Sequence, residues 1–227
     1  MAGRVIAITG AFGILGTSVA RAAAEQGASL ALIDAAKAPQ GVAGDALVLA
    51  EVDLADAVKA AAAMAAVGER YGRIDALLNI AGGFVWEKIE GQDPSRWADL
   101  FKLNVVTAAN ASRAAIPHLR KSAAGRIVNV GSAAALKAGL GMGAYAAAKA
   151  GVHALTQSLA EELKGDGVTV NAVLPSIIDT PANRADMPDA DPAQWVAPAD
   201  LAAVILFLAG ERATAVTGSL VPVTGRV

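Results

Sequence analysis

Tyr145 and Lys149 stand four residues apart in an alanine-rich run, Tyr145-Ala146-Ala147-Ala148-Lys149. On a helix that spacing puts both side chains on one face, roughly 6 Å apart along the axis at about 1.5 Å per residue. An ammonium so close favours the phenolate, which predicts a tyrosine pKa drawn down toward neutrality. A tyrosine tuned in that way can pass a proton near pH 7. Ser132 lies upstream, beyond a connector that holds Gly139, Gly141 and Gly143, and the connector can fold it back beside the ring. By itself the pair also reads as two surface side chains on an ordinary helix. The elements around it decide between the two readings.

A second group of residues recurs at the ends of short apolar runs. Residues 5–8 read as a buried β-branched strand ended by Thr9-Gly10, followed by Phe12, Gly13, Ile14, Leu15 and Gly16 and a helix to about Gln26. Strand, glycine turn and helix is the context in which such a turn can cradle a pyrophosphate on backbone N–H groups; a tight turn without a ligand is the other reading. The strand 29–33 ends at Asp34, about 20 residues beyond the glycines, where a carboxylate can accept both ribose hydroxyls and repel a 2′-phosphate. A Gly/Pro loop is expected over 35–44. A strand over 46–52 leads to Asp53-Leu54, and Asp53 reads equally as an adenine contact or as the cap of the helix expected over 56–71. A strand over 74–78 breaks into Asn79-Ile80-Ala81-Gly82-Gly83-Phe84. A helix from Pro94 carries Trp97, Phe101 and Asn104, and an asparagine inside a helix is mildly unfavourable unless its amide has work. Strand 126–130 ends at Gly131-Ser132, a helix spans 145–163, and strand 168–174 ends at Pro175. Residues 176–198 read as an irregular stretch long enough for a lid. A helix from about Ala199 and a strand over 219–223 close the chain.

Strands alternate with helices throughout. The expected fold is therefore α/β: a doubly wound, Rossmann-type parallel sheet flanked by helices in one domain over residues 1–227. Ligands in such sheets bind at the carboxyl ends of the strands, which is where Gly10, Asp34, Asn79 and Ser132 all fall.

Composition excludes several classes. The 227 residues contain no cysteine, which removes disulfides, thiolate nucleophiles and cysteine zinc sites; a cytoplasmic location fits. Lys and Arg total 19 against 21 Asp and Glu, and no basic run supports a nucleic-acid partner. No apolar run reaches the roughly 18 residues of a membrane span. No clustered metal-ligand set is present. A hydrolase would need a base near Ser132, yet Gly131-Ser132 lacks the nucleophile-elbow glycine two places on. His118 and His153, the two histidines, read as solvated or helix-packed. Trp86, Trp97 and Trp195 read as core or interface residues, and Phe84 and Trp86, directly after the glycines, read equally as substrate-facing.

Taken in order, these features resemble the short-chain dehydrogenase/reductase family over essentially the whole chain. Thr9-Gly10 with Gly13 and Gly16 resembles its cofactor loop and Asn79-Ile80-Ala81-Gly82 its Asn-Asn-Ala-Gly motif. Asn104, Ser132, Tyr145 and Lys149 fall where its catalytic tetrad falls. Two positions depart from the pattern. The family more often spaces its glycines Thr-Gly-x-x-x-Gly-x-Gly, whereas here Ile14 takes the middle place and Gly13 comes one early; and Ser176 stands where glycine usually follows Pro175.

The resemblance implies an NAD(P)-dependent oxidoreductase moving hydride between nicotinamide and a small or medium carbonyl or secondary alcohol. Ser132 and Tyr145 would hold the reacting oxygen, Tyr145 would deliver the proton, and Lys149 would lower its pKa and hold the nicotinamide ribose. Asn104 would position a water that refills the relay, and Ile178 and Thr180 would hold the carboxamide. The cofactor site would comprise Gly10, Phe12, Gly13, Ile14, Leu15, Asp34, Asp53, Leu54, Asn79, Ala81, Gly82, Tyr145, Lys149, Pro175, Ile178 and Thr180. Asp34 selects NAD over NADP, and a homodimer or homotetramer is implied. A narrower likeness, through residues 80–84, 134–136 and 172–188, is to the dihydropteridine reductase branch, which tends to lack the serine and asparagine present here. A 3-oxoacyl thioester reductase and a non-catalytic dinucleotide sensor remain as further alternatives.

Overall fold

The computed structural model describes residues 1–41 and 44–227. Seven parallel strands form one sheet in the order β3-β2-β1-β4-β5-β6-β7. They are β1 (Val5–Thr9), β2 (Ser29–Ile33), β3 (Leu47–Leu49), β4 (Ala76–Asn79), β5 (Arg126–Val130), β6 (Thr169–Pro175) and β7 (Leu220–Val223). Successive side chains of a strand point to opposite faces, and both faces are covered. Val5 and Ala7 pack toward α2 (Ala57–Tyr71), α4 (Thr107–Leu119) and α5 (Gly143–Glu162). Ile6 and Ile8 pack toward α1 (Ile14–Glu25) and α7 (Pro198–Ala209). That two-sided burial is why β1 is an unbroken apolar run.

The chain winds outward from β1 to β3 and then crosses back to β4 beside β1. The reversal opens a crevice between the carboxyl ends of β1 and β4. Thr9 closes its floor: its hydroxyl accepts the N–H groups of Ile80 at 3.1 Å and Ala81 at 3.2 Å.

Several element boundaries differ from the sequence expectation. The strand expected over 46–52 is only β3, because it pairs with β2 along Leu47 to Leu49 and then turns at Glu51, a non-glycine residue with φ of 59°. The loop expected over 35–44 includes Val42 and Ala43, which lie outside the described residues. The cap of α2 is Asp56, which takes the N–H groups of Val58 and Lys59 at 2.8 and 3.2 Å; Asp53 instead bends back to Ala55 N–H at 2.9 Å. The helix expected from Pro94 begins as α3 (Arg96–Phe101), widens into a π turn over Lys102–Val106, and continues as α4. The stretch 176–198 is more ordered than expected. It holds α6 (Pro181–Asp186) and a 3-10 turn (Pro192–Gln194), and an Ile178–Val196 bridge zips its two ends together. Among the described residues no helix is long and apolar enough to cross a membrane.

Candidate active site

The glycine turn is built by close approach. Gly10 has φ of 65°, and a Cβ on it would come within 2.7 Å of the Ala81 backbone nitrogen. A Cβ on Gly16 would meet the Gly10 carbonyl oxygen at 2.1 Å. Gly13, by contrast, has nothing nearer than 3.5 Å. Gly10 and Gly16 are thus sterically required, while the early Gly13 is not. Ile14 projects outward, 51 % exposed, at the first turn of α1, and no side chain caps that helix. Uncapped N–H groups above a glycine turn fit a pyrophosphate. Leu15 is buried, so what it can offer a ligand there is backbone, and Phe12 is half-buried against the same core.

Asp34 reaches into the same turn from β2. One carboxylate oxygen accepts Phe12 N–H at 2.9 Å and the other accepts Ala36 N–H at 2.9 Å. Each oxygen keeps a second lone pair for a hydroxyl. Among the described residues Asp34 has no cationic partner, and Lys37 is exposed nearby in sequence. Asp53 is exposed, whereas the Leu54 side chain is 4 % exposed and belongs to the core. The Asn79 amide also turns inward, donating to Ser112 Oγ at 3.0 Å and to Asn129 Oδ1 at 2.8 Å. Any contact of Leu54 or Asn79 with a cofactor comes from backbone.

Beside this crevice, α5 carries Tyr145 and Lys149 one turn apart, as their spacing predicts. Lys149 is 6 % exposed, and its Nζ donates to Val130 O, at the end of β5, at 2.8 Å. It lies 5.9 Å from the centre of the Tyr145 ring. Ser132 is folded back beside the ring by the connector, close enough for its hydroxyl to bear on the Tyr145 phenol. That hydroxyl oxygen also accepts Ala134 N–H at 3.1 Å. Gly82 is the pivot between elements: a Cβ there would stand 2.6 Å from Asn104 Oδ1 and 3.4 Å from Lys149 Nζ.

The titration of this group runs opposite to the expectation from spacing. Burial pushes the Tyr145 phenol above its ordinary value, and the nearby Ser132 hydroxyl offsets this only in part. Burial also brings the Lys149 ammonium down to about 8 from 10.5. Desolvation disfavours the charged form of each group, and here it outweighs the attraction that their separation on the helix suggests.

Asn104, 1 % exposed, sits in the π turn. Its amide donates to Gly83 O at 3.1 Å and Leu100 O at 3.0 Å and accepts Gly83 N–H at 3.2 Å. The side chain therefore clamps the β4 loop to the helix, and a water held at this residue would use its backbone carbonyl. π turns often mark functional positions. Phe84 sets its ring edge-on to Tyr145, with centroids 4.9 Å apart, and stays 47 % exposed. Trp86 is also exposed, whereas Trp195, within the 176–198 segment, is buried. Pro175 ends β6, and Ile178 and Thr180 follow it in the chain. The Thr180 hydroxyl caps α6 by accepting Asn183 N–H at 3.1 Å. Ser176, the departure from the usual glycine, donates to Thr224 O at 2.7 Å and ties the base of the segment to the C-terminal tail. His118 packs on Gly68 in the α2–α4 seam, and His153 packs on Gly131 behind Ser132. Within 176–198, Arg184 is paired with Asp179 at 2.6 Å, which leaves Asp186, Asp189 and Asp191 exposed.

Comparison with known proteins agrees with this geometry. The family model of short chain dehydrogenases matches residues 4–191. The meso-2,3-butanediol dehydrogenase of Serratia marcescens is 34% identical over 239 residues, covering 98% of this chain and 93% of the relative. A 3-oxoacyl-[acyl-carrier-protein] reductase of Vibrio harveyi is 31% identical over 237 residues, covering 98% and 96%. Among solved structures, carveol dehydrogenase from Mycobacterium avium in complex with NAD superposes with a TM-score of 0.87 at 27% identity, covering 99% of this chain and 97% of that one.

Proposed function

We infer the activity from one premise: the chain belongs to the short-chain dehydrogenase family. It is an NAD(P)-dependent oxidoreductase acting on C=O and CH–OH groups. The observation that carries the finer reading is the convergence of the Ser132 hydroxyl, the Tyr145 phenol and Lys149 beside the glycine turn.

In the reducing direction, the nicotinamide cofactor supplies the hydride when bound. Ser132 and Tyr145 donate hydrogen bonds to the carbonyl oxygen as charge grows on it, which is where fixed donors lower a barrier most. Tyr145 then gives up its proton to that oxygen. Its raised pKa suits this step, because the phenol stays protonated at neutral pH. Lys149 steadies the resulting phenolate and holds the nicotinamide ribose, and Asn104 keeps the β4 loop against the helix. Alcohol oxidation is the reverse path and needs the phenolate first. Gly10, Phe12, Gly13, Ile14 and Leu15 hold the pyrophosphate, Asp34 the adenine ribose, and Asp53 and Leu54 the adenine. Asn79, Ala81 and Gly82 line the crevice floor, and Pro175, Ile178 and Thr180 take the carboxamide.

NAD is preferred over NADP because Asp34, which has no cationic partner among the described residues, would repel a 2′-phosphate. The substrate is a small or medium carbonyl or secondary alcohol. Exposed Asp186, Asp189 and Asp191 oppose docking of an acidic carrier protein at this rim. The protein acts in the cytoplasm as one domain over residues 1–227 and assembles as a homodimer or homotetramer. Exposed Trp97, Phe101 and Leu103 on the helix that packs beside α5 support the assembly. Tyr145→Phe tests the core of this reading. It should leave NADH binding within about twofold by fluorescence titration and lower turnover of a ketone panel by at least about 100-fold. Near-normal turnover in the variant would remove Tyr145 from the chemistry.

A further inference from the structure

α5 places three polar side chains on successive turns: Tyr145, Lys149 and His153. The proposed mechanism uses the first two. His153 is only 6 % exposed and bears on the same strand end. Its ring occupies the space that a side chain at position 131 would need: a Cβ on Gly131 would come within 2.5 Å of His153 Nε2 and 2.8 Å of Cδ2. From there Nε2 accepts the Ser132 backbone N–H at 3.3 Å. An imidazole nitrogen accepts only when the ring is neutral and its proton sits on the other nitrogen. Burial, and then the neighbouring Lys149 charge, hold the ring below the usual histidine pKa and so keep it neutral.

Ser132 is thereby restrained twice. His153 holds its backbone N–H, and Ala134 N–H holds a lone pair of its hydroxyl. Neither bond uses the hydroxyl proton, which stays available to an acceptor on the Tyr145 side of the crevice. His118 supplies the contrast. It packs on Gly68 between two helices, and its Nδ1 has no partner among the described residues. A histidine can fill a seam without an acceptor role, whereas His153 makes a bond to a residue of the site.

We propose that His153 is a positioning residue for the reaction: through Nε2 it fixes the backbone of Ser132 and so the place where the Ser132 hydroxyl meets the substrate oxygen. The inference rests on the role proposed above for Ser132. Misplacing a reacting group by about 1 Å can cost on the order of 100-fold in rate. An aliphatic side chain at 153 fills the volume but leaves the Ser132 N–H without an acceptor. A glutamine can still present an oxygen to it.

The test compares His153→Leu, His153→Phe and His153→Gln, each alone, and His153→Leu combined with Ser132→Ala, using a carbonyl substrate that the wild type reduces. His153→Leu should lower kcat about 10- to 100-fold, with the NADH Kd within about twofold and a cooperative urea transition. His153→Phe, which keeps a ring but no acceptor, should behave the same and serves if the leucine variant does not fold. His153→Gln should stay within about fivefold of wild type. Because His153 acts through Ser132, the double variant should be no more than about threefold slower than Ser132→Ala alone. The proposal is overturned if both Leu and Phe variants keep wild-type kcat, if Gln is as slow as Leu, or if His153→Leu costs its full factor again in the Ser132→Ala background. The two readings fail separately. Wild-type kcat in Ser132→Ala defeats the role given to Ser132. A slow Ser132→Ala beside fast Leu and Phe variants defeats only the role of His153.

Discussion

Replacing Lys149 by methionine should make the cofactor-free protein more stable at neutral pH while removing its activity. Lys149 is 6 % exposed, and burial lowers its pKa from 10.5 to about 8. The sign follows from proton counting. Between about pH 8 and 10.5 the unfolded lysine holds a proton that the folded one has shed, so stability rises with pH across that window. The cost of carrying the ammonium is fully present below pH 8 and vanishes above 10.5. At about 1.4 kcal/mol per pH unit, that cost is about 3 kcal/mol at pH 7. Methionine keeps the stem and removes the charge, but it strands Val130 O, which now accepts from Nζ at 2.8 Å. An orphaned buried carbonyl returns about 1 kcal/mol of the gain. The net stabilisation is about 2 kcal/mol at pH 7, or about 5 °C in Tm for a domain of this size. By pH 9.5 the same arithmetic leaves well under about 1 kcal/mol. Urea unfolding followed by tryptophan fluorescence, without cofactor, at pH 7 and 9.5 measures both values. A variant no more stable than wild type at pH 7, or an advantage that does not shrink by pH 9.5, refutes the reasoning.

Three other outcomes test the cofactor and lid geometry. Wild-type kcat/KM should favour NADH over NADPH by at least about tenfold, from a like-charge cost of about 1.4 kcal/mol at Asp34. Asp34→Asn should narrow that ratio while weakening NADH as well, since one of the two backbone N–H bonds to the carboxylate is lost; an unchanged ratio in steady-state assays would show that another group selects the cofactor. Gly16→Ala should cost about 3 kcal/mol or more, because its Cβ would meet a backbone oxygen at 2.1 Å, whereas Gly13→Ala should stay within about 0.5 kcal/mol; similar urea midpoints for the two variants would contradict the assigned steric roles. Ser176→Gly removes the 2.7 Å bond to Thr224 O and should raise KM more than it lowers kcat, with faster proteolytic cutting in 176–198; unchanged KM and cutting would leave that bond without influence on the segment.

Much of this protein is legible in its sequence because the relevant signals are local. Alternating apolar runs and helical periods are short-range patterns, so the order of strands and helices, the parallel sheet and the crevice at the strand ends follow from reading along the chain. Helical spacing likewise puts Tyr145 and Lys149 on one face, and the glycine turn after β1 announces its own context. What tertiary structure alone decides is how each polar group is spent, because that depends on neighbours distant in sequence. The direction of the Tyr145 pKa is one case: spacing along the helix predicts a fall, but burial, to which Phe84 and Val85 of the β4 loop contribute, raises it. The Asn104 amide belongs to Gly83 and Leu100, Asp34 is already bonded to Phe12 and Ala36, and the α2 cap went to Asp56 rather than Asp53. His153 reads along the chain as a packing residue, and it does pack. Only the return of the chain from β5 into α5 sets its lone pair against the Ser132 N–H, 21 residues away in sequence, and no periodicity encodes a contact of that kind.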